Sequence, residues 1–128
     1  MKNILALILI LTSLAVYGQN NKINLIPQPA EIQQSAGVFR LSGSSGIVYS
    51  APEAGGVAGM LALKLNQATG FSLKAQQGGS GSILFILNKT ADPRTGDEGY
   101  ALTVTQKNIA ITANKPAGLF YGMQTLLQ

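Results

Sequence analysis

The chain has 128 residues, of which 46% are hydrophobic and 11% charged, with a formal charge of +4 and neither cysteine nor histidine. That length supports one hydrophobic core and excludes two. Without Cys or His there is no disulfide framework, thiolate nucleophile, zinc site or imidazole-dependent triad, and the basic residues, scattered singly, make no nucleic-acid stripe.

Residues 1–18 read as a secretory signal. Lys2 gives the positive start, residues 4–11 are unbroken apolar sequence, and Gly18 is the small residue before the polar Gln19, Asn20 and Asn21. An uncleaved anchor is the alternative. It is disfavoured because the run from Ile4 to Tyr17 is short for a bilayer-spanning helix and is interrupted by Thr12 and Ser13. The protein is therefore expected to be exported, periplasmic or extracellular, with no membrane association after cleavage. Residues 19–128 then form a single domain.

In that domain, Pro27 and Pro29 push residues 24–29 into an extended form, expected at a sheet edge. Residues 37–41 and 46–49 are strand candidates around the Ser42, Gly43, Ser44, Ser45 turn cluster, which suggests a hairpin. Ser50 and Glu53 have capping-box spacing. Val57, Leu61, Leu65 and Ala68 then recur at helical intervals up to the stop at Gly70, while Gly55, Gly56 and Gly59 would loosen the first turn.

A linker is expected at residues 77–81, followed by a central strand over the apolar residues 82–87. Tyr100, Leu102 and Val104 alternate with polar or small residues, then a turn at residues 106–108 leads to Ile109, Ile111 and Ala113, which reads as a hairpin with one buried face. The whole predicts an α+β fold, a mixed sheet packed by two helices.

The second helix starts at Pro116 and carries no charge through Gln128. At 100° per residue, Leu119, Phe120, Met123, Leu126 and Leu127 form a core-facing stripe. Gly118 and Gly122 flank that stripe with Thr125, while Tyr121, Gln124 and Gln128 occupy the remaining side. Two glycines in a helix suggest a close approach by another surface, so Gly118, Tyr121, Gly122, Gln124 and Thr125 are the candidates for a domain interface.

Three segments resemble the small N-terminal domain of family 20 glycoside hydrolases, the exo-acting β-N-acetylhexosaminidases. They are Leu25-Ile26-Pro27-Gln28-Pro29 with Gly37-Val38-Phe39-Arg40-Leu41, the stretch Glu98-Gly99-Tyr100-Ala101-Leu102-Thr103-Val104, and the final helix from Ala117 to Gln128. The resemblance implies a partner, a catalytic TIM barrel of the same polypeptide following the helix. It also implies release of terminal N-acetylglucosamine or N-acetylgalactosamine by a mechanism in which the substrate acetamido oxygen is the nucleophile. The barrel would carry the catalytic Asp-Glu pair, so this chain, expected to stop short of it, is expected to hold no catalytic, cofactor-binding or metal-binding residue. A stand-alone secreted glycan-binding module and a structural protein dimerising through its last helix are the alternatives.

Other motifs carry less. Gly96-Asp97-Glu98 mimics the family's acidic pair but lies in a loop with no means of drying a carboxylic acid. Asn88-Lys89-Thr90 fits a glycosylation sequon. Tyr49, Phe71 and Tyr100 could stack on sugar, but their strand-like settings point to core packing.

Overall fold

The computed structural model describes residues 23–128, so the signal assigned to residues 1–18 lies outside the described residues. Strands β1 (Ile47–Tyr49), β2 (Ala75–Gln77), β3 (Ile83–Leu87), β4 (Tyr100–Val104) and β5 (Ile109–Ala113) form one sheet in the order β2-β1-β3-β5-β4. All pairs are parallel except β4 with β5. A 3-10 turn at Pro52–Ala54 leads into α1 (Gly55–Thr69), and α2 (Pro116–Leu126) follows β5. The expected mixed sheet with two helices is the fold, with the apolar run at β3 as its central strand.

Parallel registers place Ile47, Ile83 and Ile109 side by side, with Phe85 beside Ile111 one step further on. Because side chains alternate across a strand, these residues share one face. Both helices cover it: Val57, Ala58, Leu61 and Ala62 of α1 and Leu119 and Met123 of α2 are buried in the same core. Phe39, Leu41 and Phe71 close its margins.

Parallel strands ordinarily need long crossovers. Here residues 78–82 suffice between β2 and β3, because β2 is only three residues long. The link crosses β1 on the face away from the helices. A Cβ at Gly81 would lie 2.8 Å from Val48 Cγ1 and 2.9 Å from the Gly46 carbonyl oxygen, so only glycine passes there.

Several local expectations are corrected. Residues 37–41 form no strand and no hairpin with β1, whose two edges are taken by β2 and β3. Residues 24–29 form no strand at a sheet edge; the Ile26 peptide is instead bound to Gln128 beyond α2. The capping box does not form. Ser50 Oγ accepts the Leu87 N–H at 2.9 Å and its own N–H donates to the Phe85 carbonyl, extending the β1–β3 ladder. The stop at Gly70 is as expected, a left-handed C-cap with φ of 75°. Asn66 adds a second closure, its amide exchanging hydrogen bonds of 2.7 and 2.9 Å with the Leu73 backbone.

Candidate functional site

The uncharged helix α2 supplies most of the candidate interface, but it is turned from its expected orientation. Its buried residues are Gly118, Leu119, Gly122 and Met123. At 100° per residue their mean direction lies about 70° from that of the expected stripe, towards the glycines. Phe120 and Leu126 are consequently half-buried, and Leu127 is exposed.

This corrects the reading of the glycine flank as a surface for a second body. A Cβ at Gly122 would sit 2.5 Å from Ile111 Cγ2 and 3.1 Å from the Tyr100 ring, and one at Gly118 would strike the Gly99 carbonyl oxygen and approach Ala113 Cβ to 2.8 Å. The close approach that the glycines permit is to β4 and β5 of the same domain. Tyr100 is held there, its hydroxyl 2.5 Å from Thr125 Oγ1.

Tyr121, Gln124 and Thr125 remain together on the accessible side. They line a groove of about 330 Å³ with Tyr100 and Glu98 at the start of β4 and Ile26 and Pro27 opposite. Gln128 closes one end by accepting the Ile26 N–H at 3.0 Å and donating to the Ile26 carbonyl at 2.9 Å. Tyr121 is 46% exposed and meets Phe120 edge-on, with ring centroids 5.9 Å apart.

The same outer layer continues on α1, in residues that the sequence reading passed over. Met60 and Leu63 are exposed, and Gly56 and Gly59 face open space. Their spacing of i, i+3, i+4 and i+7 defines one stripe of a helix. That spacing was the available signal, obscured because glycine suggested a loose turn and the buried stripe of Val57 and Leu61 claimed the same segment.

The arrangement provides apolar contact area with one carboxylate at its rim. Asp97 and Glu98 are both exposed, the condition opposite to the dry pocket that a general acid requires. The loop bearing them is fixed from a distance by Asn114, whose Oδ1 accepts from the Asp92 N–H and Asn88 Nδ2, both at 2.8 Å, while its Nδ2 donates to the carbonyls of Asp92 and Gly96. Asn88, of the sequon, is thus engaged through its side-chain amide. Tyr49, Phe71 and Tyr100 all pack against the core. Among the described residues no group of three or more His, Cys, Asp or Glu could hold a metal ion, and no helix is long and apolar enough to cross a membrane.

A mixed five-stranded sheet layered on two helices, with an apolar outer helix face, defines a small α+β domain. Residues 22–128 match the family described as "Glycosyl hydrolase family 20, domain 2", and the chain belongs to that family. It is 37% identical over 108 residues to a β-hexosaminidase of Porphyromonas gingivalis (strain ATCC BAA-308 / W83), a match covering 83% of this chain and 14% of the relative. The Streptomyces plicatus N-acetyl-β-hexosaminidase, solved in complex with Thio-NAglucal, is similar at 36% identity and a TM-score of 0.71, over 78% of this chain and 20% of that one. The family 20 β-N-acetylhexosaminidase of Streptomyces coelicolor A3(2) is similar at 35% identity and a TM-score of 0.72, over 80% and 20%. This chain thus spans a small part of each relative's length.

Proposed function

We propose that this domain is the accessory, non-catalytic part of an exported exo-β-N-acetylhexosaminidase, which removes terminal N-acetylglucosamine or N-acetylgalactosamine from glycans. Its work is to pack against a catalytic barrel elsewhere in the same polypeptide and to stabilise it. The observation that carries the reading is the apolar outer face of the helix layer, where Met60, Leu63 and Tyr121 are all exposed on elements whose inner sides already fill the core. The small share of each hexosaminidase relative that the chain spans supports it, since the remainder of such a protein is available to cover that face. Export rests on the pattern of residues 1–18.

Gly59 tests the packing, because a Cβ added there meets nothing within 4 Å in this domain. Gly59→Leu should leave the melting temperature of the 128-residue chain unchanged or higher, since it improves helix propensity. In the longer enzyme the same substitution should destabilise by about 1 to 3 kcal/mol through overpacking. Equal effects in both proteins would mean that α1 faces solvent in the enzyme, and the packing assignment would fail.

A further inference from the structure

A second cavity lies at the opposite end of the sheet, where the chain enters the parallel strands. It measures about 250 Å³ and is lined by Arg40, Ser42, Ser44 and Ser45 on one side and by Ser82, Gln106 and Lys107 on the other. Two cations and four hydroxyl-bearing residues meet there, and no carboxylate is among the lining residues. The ion pair formed among the described residues is Arg94 with Asp92, which leaves Arg40 and Lys107 without a counter-charge.

The hydroxyls are held in place. Ser45 is buried, its Oγ accepts the Ser42 N–H at 3.0 Å, and its N–H donates to the Ser42 carbonyl, also at 3.0 Å. Ser42 Oγ and Ser44 Oγ are 3.0 Å apart. Across the cleft, the Thr105 hydroxyl accepts the N–H groups of Lys107 and Asn108, which fixes the turn carrying Lys107, and Gly37 packs against the Gln106 side chain.

Ser82 is the independent observation. Its backbone is fully committed, the N–H to the Gly46 carbonyl and the carbonyl to the Ile109 N–H, yet its buried Oγ has no hydrogen-bond partner. A buried hydroxyl without a partner has lost its water and gained nothing in exchange. Ser82 is among the residues that line the cleft.

Hydroxyl and amide donors beside two unpaired cations are the complement of a compact, multiply charged acceptor. We propose that this cleft binds a small tetrahedral oxyanion, a sulfate or phosphate group, with Arg40 and Lys107 supplying charge and Ser42, Ser44, Ser82 and Gln106 supplying hydrogen bonds. The site is separate from the helix face and does not depend on how that face is covered.

The test is an amide-resolved NMR titration of the 128-residue chain with sodium sulfate, with sodium chloride adjusted to hold ionic strength constant because exposed charges are screened by salt. Saturable shifts confined to the cleft, at Arg40, Ser42, Ser44, Ser45, Ser82, Gln106 and Lys107, are expected. Arg40→Gln or Lys107→Gln alone should weaken binding about five-fold, the scale of one exposed charge contact. The double variant should lose saturation.

Titrations with N-acetylglucosamine 6-sulfate, its 6-phosphate and uncharged N-acetylglucosamine distinguish the sources. Tighter binding of the esters than of inorganic sulfate identifies an anion carried on a sugar, and equal binding identifies the free ion. Non-saturating shifts, saturable binding that survives the double substitution, or equal binding of the uncharged sugar would overturn the proposal.

Discussion

Gly122 of α2 lies directly over Ile111 of β5, so closely that a Cβ on the glycine would come within 2.5 Å of the isoleucine Cγ2. Ile111 is fully buried and β-branched, and its side chain has little freedom to yield. The contact explains why a helix facing a sheet retains a residue that costs about 1 kcal/mol in propensity. It also fixes how α2 is rotated on the sheet.

Gly122→Ala should therefore destabilise the 128-residue chain by about 1 to 3 kcal/mol, the overpacking cost outweighing the gain in propensity. Gly118→Ala should cost more, because the Cβ there meets the Gly99 backbone carbonyl in place of a movable side chain. Denaturant melts of the isolated chain decide the matter. Unchanged stability in both variants would mean that the helix is not seated in this way.

Where the sequence was informative, the signal was local. The strict alternation at Tyr100 to Val104 and Ile109 to Ala113 gave the hairpin, and the apolar run gave β3, because a period of two is readable from neighbours alone. Strand β2, Ala75-Gln76-Gln77, has no β-branched or aromatic residue and becomes a strand only by pairing with β1. The rotation of α2 was missed for a related reason: hydrophobicity ranks Phe120 and Leu127 above Gly118 and Gly122, whereas the packing distance rewards the residues without a side chain.

Asn114 was equally invisible, since its partners Asn88, Asp92 and Gly96 lie 18 to 26 residues away in sequence. All of its amide capacity is used on that loop. Asn114→Ala would leave the Gly96 carbonyl, the Asp92 N–H and the Asn88 amide short of partners, while the Asp92 carbonyl keeps the Thr95 N–H and hydroxyl, an expected loss of about 2 kcal/mol. The melting temperature should fall by about 10 °C. Hydrogen exchange should quicken first at the Thr95 and Gly99 amides, which close turns in this loop.

The same loop should respond to acid. The Arg94 side chain, followed by the Arg94 backbone N–H, hydrogen-bonds Asp92 and lowers its pKa from 3.8 to about 2. A depressed carboxylate pKa contributes stability that is present above the unfolded value and lost as pH falls through the folded one. The contribution of Asp92 should thus be complete above about pH 4 and decline towards pH 2. Carboxyl NMR titration should show Arg94→Ala returning Asp92 upward, towards 3.8. A titration unaltered by that substitution would show that Arg94 does not hold it.

The last prediction concerns Glu98, which stands beside Asp97 after a glycine and so imitates a catalytic pair while lying exposed at the rim of the α2 groove. A glycosidic acid needs a pocket that withdraws the carboxyl group from water, and a second group to position the acetamido function. Exposure in a loop denies the first requirement. Incubating the 128-residue chain with a chromogenic N-acetylglucosaminide should accordingly release nothing above the blank, and Glu98→Gln should change nothing. If the proposed hexosaminidase carries this domain against its barrel, Glu98→Gln in that enzyme should leave kcat within about two-fold of the parent, because a residue at the rim of the groove would act on stability before it acts on chemistry. Turnover by the isolated chain that disappeared on Glu98→Gln would place the chemistry in this loop and remove the basis for treating the domain as accessory.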